Sequence, residues 1–220
     1  TDSLVRYQNL RKKFPAIEIM IGIGNITELT HADTAGMNAI LFGIASELDI
    51  NYALCTQVSE HCNKAIIEGN FARRIMHTTK QYNMPPKDIS NKLLSLHERK
   101  PFPYSTEELK EMWSNVKDKN YRIYVNSEGI HVFNKKSFYT EKDATEMYQH
   151  LDVKNDDGHA YYLGMELAKA QIAFQLGKRY DQDEMLKWGC SVDVSDEDIM
   201  KFKTAGHTMR KSKIIKEDKR

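Results

Sequence analysis

Cysteine, proline and tryptophan are scarce in this chain of 220 residues, which has three, five and two of them. The cysteines, Cys55, Cys62 and Cys190, are odd in number and lack Cys-x-x-Cys spacing. That argues against a disulfide framework and a structural zinc site, so a reducing cytoplasm is the expected compartment and no metal is expected. No apolar run approaches the roughly 18 residues of a membrane span, and no basic stretch followed by an apolar one marks a secretory signal. An excess of charge is missing too: 32 Lys and Arg against 31 Asp and Glu leave a formal net charge of +1. No global field then steers the chain toward nucleic acid or an anionic membrane, and partners must be inferred locally. Internal repeats are absent. What is present, 40% apolar residues, suffices for one large core or two small ones.

Along the first hundred residues the apolar pattern alternates between helical and strand character. Residues 2–13 read as an amphipathic helix closed by Arg11, Lys12 and Lys13, and Pro15 stops it. The run Ile17–Ile23 is short, β-branched and mostly apolar, which suits a strand covered on both faces. Asp33 or Thr34 can cap a helix from Ala35 to about Leu48, where Met37, Ile40, Leu41, Ile44 and Leu48 recur at helical spacing. A second strand is expected at 51–57 and a further helix from about Ser59 to Lys80. Strands alternating with helices imply a parallel sheet, in which the loops after the carboxyl ends of the strands build the site.

The second half reads differently. Pro101 and Pro103 mark a stiff boundary. Ser105, followed by Glu108, resembles a capped helix start. Tyr121–Val125 and Ile130–Phe133 are β-branched and aromatic runs around a turn at 126–129, hence a hairpin, with His131 expected to face out. A long helix follows, capped by Asp156 or Asp157 and ended by Gly177, with Glu166 and Lys169 expected as a surface pair. From Ser195 the chain turns lysine-rich, which reads as a solvated, flexible tail over 195–220. The expected fold class is therefore α/β: a parallel strand-helix unit over 1–100, then a smaller α+β domain over 104–194.

The unusual residues fall after the two strands. Gly22, Gly24, Asn25 and Glu28 place two glycines where backbone can approach a flat ring, followed by an amide and a carboxylate. Thr56 and Gln57 supply a second polar pair. The same residues would also serve a plain turn with solvated polar groups. Asp33 reads as a helix-start charge favoured by the dipole. His31 reads as a solvated loop histidine, and Arg73 and Arg74 as a solvated helix face. No nucleotide fingerprint is present, because Gly-x-Gly-Asn lacks both a third glycine and the Gly-Lys-Ser/Thr of a phosphate loop.

The stretch Met20–Leu41, with Ala45–Leu48, Thr56–Val58, Phe71–Arg74 and Pro85–Lys87, and again from about Tyr121 to Gly189, resembles the dihydropteroate synthase-related family of methanogens and tetrahydromethanopterin-using methylotrophs. That family is similar to dihydropteroate synthases and to methyltransferases acting on methylated pterins, both (β/α) pterin-binding barrels. The resemblance implies that the first hundred residues form the last two strand-helix units of such a TIM-type barrel. The synthases end the corresponding strand in Gly-x-Ser-Arg-Lys and carry Arg-x-His on the next, and neither set is present here. Gly22-Ile23-Gly24-Asn25 instead resembles the Gly-x-Ser-Asn of the methyltransferases, which makes Asn25 the expected contact to a reduced pterin, with Gly22, Gly24, Glu28, Thr56 and Gln57 around it.

The implied function is a reduced-pterin-binding enzyme or enzyme fragment, a synthase-like transferase of folate or tetrahydromethanopterin biosynthesis or of one-carbon metabolism. Its catalytic residues are not assignable. Two other readings stand beside it. His159, opening a helix that resembles parts of corrinoid-carrying subunits, is a possible second site as a corrinoid ligand in a methyl-carrier module. The chain could also be a non-catalytic assembly domain. The expected small-molecule partner is the pterin. A homodimer, or association with a missing amino-terminal part of the barrel, is the expected protein contact, since two strands cannot close a barrel and the chain starts at Thr1.

Overall fold

The computed structural model describes residues 2–193, and the basic tail expected at 195–220 lies outside the described residues. The fold is mixed α/β, in two compact units: residues 2–95 with 188–193, and residues 96–187. The sequence reading keeps 188–194 with the second unit. The structure returns 188–193 to the first, where the Cys190 amide donates to the Lys92 carbonyl at 2.8 Å and the Ser95 and Ser191 hydroxyls meet at 2.6 Å.

In the first unit, α1 (Asp2–Lys13) has no buried residue. Arg11 ties it down. Its guanidinium donates to the carbonyls of Leu48, Pro15, Ile17 and Asp49 at 3.1, 2.8, 2.8 and 2.6 Å, a fork that no ammonium could reproduce. Strand β1 (Met20–Gly22) pairs in parallel with β2 (Tyr52–Leu54), with Met20 opposite Tyr52 and Gly22 opposite Leu54. Helix α3 (Thr34–Glu47) connects them, and α4 (Ala65–Tyr82) follows β2.

Side chains alternate across a strand, so Ile19, Ile21 and Ile23 point one way and are buried. Ile21 and Ile23 pack with Leu41, Phe42, Ala45 and Ala72. Met20, Tyr52 and Leu54 share the other face and are 60%, 53% and 54% exposed. The segment between β1 and α3, read as a polar loop, is a short helix, α2 (Gly24–Leu29), and α4 is preceded by a 3₁₀ turn at Glu60–Cys62. Asp33 holds the N-cap position of α3 without a side-chain cap bond. The Thr34 hydroxyl is drawn instead to the buried Glu68 carboxylate on α4, 2.5 Å away.

The second unit is a three-stranded antiparallel meander between helices. Helix α5 (Thr106–Ser114) starts with the expected capping box of Ser105 and Glu108. Strands β3 (Arg122–Asn126), β4 (Gly129–Asn134) and β5 (Ser137–Glu141) are hydrogen-bonded in that order. Helix α6 (Ala144–Gln149) is capped by Asp143 and α7 (Asp157–Leu176) by Asp156, and α7 ends at Gly177. Ile123, Val125, Ile130 and Val132 form a core with Met147 of α6 and with Leu163, Leu167, Ala170 and Ala173 of α7.

On the opposite face, the rings of Tyr124, Phe133 and Phe138 stack at 5.5 and 5.3 Å. Here the expectation for His131 fails. It is fully buried, because α5 occupies that face through Thr106, which accepts from Asn126 at 2.9 Å, and Trp113, which donates to the Asn134 carbonyl at 2.8 Å. The alternation assigned His131 to a face without telling what covers that face.

Candidate functional site

The loops after β1 and β2 stand side by side because the strands are parallel and in register. Gly24 opens α2 directly beneath Thr56. A Cβ on Gly24 would lie 2.3 Å from the Thr56 hydroxyl oxygen, so this position excludes any side chain. Gly22 has open space around it, with only the Asn25 amide at 4.0 Å from an added Cβ. Asn25 is solvent-facing in the first turn of α2, and Gln57 is exposed after β2. Thr56 is half-buried, and its hydroxyl is sealed from solvent.

Glu28 points across to the second loop. One carboxylate oxygen accepts from the Val58 amide and the other from the Ser59 amide, each at 2.8 Å. The Ser59 hydroxyl and these two amides hold its carboxyl down to about 2, since each favours the ionised form. The Thr27 carbonyl accepts from His61 Nε2 at 3.1 Å and from the Cys62 thiol at 3.2 Å. Burial, with the Glu28 and Glu68 carboxylates nearby, pushes the Cys62 thiol upward. The His31 and His61 rings meet edge to face at 5.9 Å.

Beside Gln57 runs a shallow groove along the start of α4, lined by Gln57, Asn63, Lys64, Ile66, Ile67 and Asn70. It offers three carboxamides and two isoleucine side chains. Lys64 Nζ is paired with Asp193 at 2.7 Å. Gln57 is the residue singled out in the sequence that reaches this groove. Asn63 and Asn70 are not, because Asn63 ends the 3₁₀ turn before α4 and Asn70 lies within α4, and no periodic spacing marks them as lining one groove.

His159, the other singled-out residue, belongs to the second unit. It is half-buried at the start of α7, its amide donates to Asp156 at 3.0 Å, and its ring lies edge to face with Tyr121 and Tyr162 at 6.3 and 6.1 Å. The residues behind it form a network. Glu166, expected at the surface, is 4% exposed. It accepts from the Tyr180 hydroxyl at 2.7 Å and pairs with Lys169 at 2.5 Å. The segment after Gly177 folds back over α7 and covers it.

Gln182 accepts from the Ile123 amide at 2.9 Å and donates to the Tyr162 hydroxyl at 2.8 Å, and that hydroxyl donates to Asp183 at 2.7 Å. Burial first, then the carboxylates, raises the Tyr162 and Tyr180 hydroxyls far above their ordinary range. The network joins α7 to β3 and the carboxyl-terminal segment. Among the described residues, no group of three or more His, Cys, Asp or Glu side chains is placed to hold a metal, and no helix is long and apolar enough to cross a membrane.

Comparison with known proteins finds a pterin-binding-related family in the second unit. The family model PterinBD-DUF4346 matches residues 108–183, a pterin-binding-related match that covers β3 to β5, α6, α7 and the network around Glu166. An uncharacterized protein of the archaeon Methanocaldococcus jannaschii is 29% identical over 195 residues, an alignment covering 78% of this chain and 37% of that protein. The chain thus spans little more than a third of the length of that curated relative. No solved structure matches.

Proposed function

We propose that this chain is the pterin-binding-barrel portion and carboxy-terminal domain of a reduced-pterin-dependent protein, synthase-like or methyltransferase-like, acting in folate or tetrahydromethanopterin biosynthesis or one-carbon metabolism. The observation that carries the reading is the match of residues 108–183 to a pterin-binding-related family. The ligand itself is assigned to the first unit, at the carboxyl ends of β1 and β2. Asn25 and Gln57, both exposed, face a ligand with an amide each, and a carboxamide can meet either a donor or an acceptor on the heterocycle edge. Gly22 leaves room for a ring. Gly24 and Thr56 complete the surround, and Glu28, its two oxygens taken by the Val58 and Ser59 amides, borders it.

The barrel portion is supported by the sheet. A parallel sheet is ordinarily covered on both faces, yet Met20, Tyr52 and Leu54 present an apolar face to solvent. Such a face suits the interior of a larger barrel, and the relative's greater length is compatible with further strand-helix units. The synthase lysine, arginine and histidine have no counterpart, which favours ring binding over release of a diphosphate.

Calorimetric titration with tetrahydrofolate and tetrahydromethanopterin tests the assignment. Asn25→Ala is expected to weaken binding at least about tenfold, the scale of one buried hydrogen bond to a ligand. An unchanged Kd in that variant would remove Asn25 from the site.

A further inference from the structure

We infer that Glu28 is a positioning residue, the charged half of a clasp that locks the loop after β2 onto helix α2 and so sets where Gln57 stands at the groove beside α4. This rests on the pterin reading only for the identity of the ligand. The clasp itself stands on four contacts, all donated from the segment after β2 to acceptors on α2. Glu28 of α2 accepts from the Val58 and Ser59 amides at 2.8 Å each, and the Thr27 carbonyl of α2 accepts from His61 and Cys62 at 3.1 and 3.2 Å. Thr27 in turn is held inside α2, its hydroxyl donating to the Gly24 carbonyl at 3.1 Å.

The consequence for Gln57 follows from peptide geometry. The Val58 N–H lies in the same rigid plane as the Gln57 carbonyl and one bond from its Cα's neighbour, so gripping that amide fixes the backbone that presents the Gln57 side chain. Gln57 lines the groove with Asn63 and Asn70. On the other side of the clasp, Thr56 occupies the space above Gly24 that any side chain there would need, so the loop packs directly on the start of α2. Asn25 sits on the same short helix as Glu28, three residues earlier. The clasp therefore couples the two exposed amides, Asn25 on α2 and Gln57 on the loop, into one preorganised pair. Its charge-assisted bonds are the stronger part, because an ionised acceptor roughly doubles the strength of an amide bond.

Amide hydrogen exchange on the whole chain, read residue by residue, tests this without requiring a ligand. Glu28→Gln keeps the shape but turns one oxygen into an N–H₂ group that faces an N–H. Exchange at Val58 and Ser59 should rise at least about tenfold, the scale of one charge-assisted hydrogen bond, while core amides of α3 and α4 keep their protection. Glu28→Asp, one methylene shorter, should give an intermediate rise. In the same variants tetrahydrofolate should bind more weakly although Asn25 and Gln57 are intact.

Unchanged exchange at Val58 and Ser59 overturns the clasp. So does loss of protection throughout the unit in both variants, which would make Glu28 a general stability residue. Wild-type protein that binds no tetrahydrofolate but shows the local rise in Glu28→Gln sinks the pterin reading and leaves the clasp standing.

Discussion

Three buried polar side chains, Thr34, Asn38 and Glu68, hold α3 against α4. Asn38, 1% exposed, donates to the Ala65 carbonyl at 3.1 Å and to Glu68 at 3.3 Å, and Glu68 also receives the Thr34 hydroxyl. The arrangement suits one carboxylate and one amide. Asn38→Asp would set a second carboxylate against Glu68 where little water can screen it, and should cost about 3–5 kcal/mol at neutral pH, the range for an uncompensated buried charge. The shared site raises the folded-state pKa of the new pair, so the loss should shrink as pH falls and one carboxyl takes up a proton. Urea midpoints at pH 7.5 and 5 measure both parts, and equal losses at the two pH values would show that repulsion is not the cause. In the sequence these residues sit in helices of correct period, but a carboxylate bound for the interior carries no mark that separates it from a surface one.

At the scale of elements, the second unit shows what turn chemistry does. Asn126 and Asn134 occupy equivalent positions at the two hairpins, and each side-chain oxygen accepts from the amide two residues on, Glu128 and Lys136, at 2.8 Å. The first hairpin was legible from its strands. The second, β4 to β5, carries the same asparagine spacing but is masked by the polar Lys135 and Lys136 at its turn. Gly129 is required at the first hairpin, since a Cβ would lie 2.6 Å from the Glu141 carbonyl of β5.

The layer formed by α5 over this sheet also makes His131 a pH-sensitive element. Its Nε2 donates to Asn126 at 2.7 Å, an oxygen that can only accept, and Nδ1 meets the Thr140 hydroxyl at 2.9 Å. Burial, opposed by Glu128 and assisted by Lys110, pushes the imidazole below its ordinary 6.5. The unfolded chain then takes up a proton that the folded chain resists. Stability from this residue is full above pH 6.5 and falls as the pH drops through the depressed folded value. Replacing His131 with Gln should flatten the urea midpoint between pH 7 and 5.5 relative to wild type, and an undiminished slope would place the effect on another histidine.

For the molecule as a whole, carboxylates that accept hydrogen bonds contribute to the acid limit. Glu28 and Asp118 are both held at about 2, Glu28 by Ser59 and the loop amides and Asp118 by Arg122 and the Asn120 amide, and Asp143 is lowered by the amides it caps. Their depressed folded values mean that their stability is complete above the ordinary 4.5 of Glu and 3.8 of Asp. It is lost progressively toward pH 2. Circular dichroism on acid titration should show unfolding concentrated below about pH 4.5, where carboxyls begin to protonate, and Glu28→Gln should remove part of that slope. The two units draw on these groups separately: Glu28 serves the first and Asp118 and Asp143 the second.

The sequence by itself determined the local units: the helices α1, α3, α4, α5 and α7, the parallel strands after Pro15 and Asp49, the hairpin at 126–129, the capping box at Ser105 and the stop at Gly177. These follow from short-range physics, namely apolar period, capping oxygens and the freedom of glycine. It also drew notice to Gly22, Gly24, Asn25, Glu28, Thr56 and Gln57, because small and polar residues gather at the ends of two apolar strands. Only the tertiary structure decided what each of them touches. That Glu28 grips a loop thirty residues away, that Gly24 makes room for Thr56, that His131 and Glu166 lie inside, and that residues 188–193 return to the first unit all depend on contacts between segments distant in the chain. Periodicity reports the face on which a side chain lies, and only packing decides what covers it.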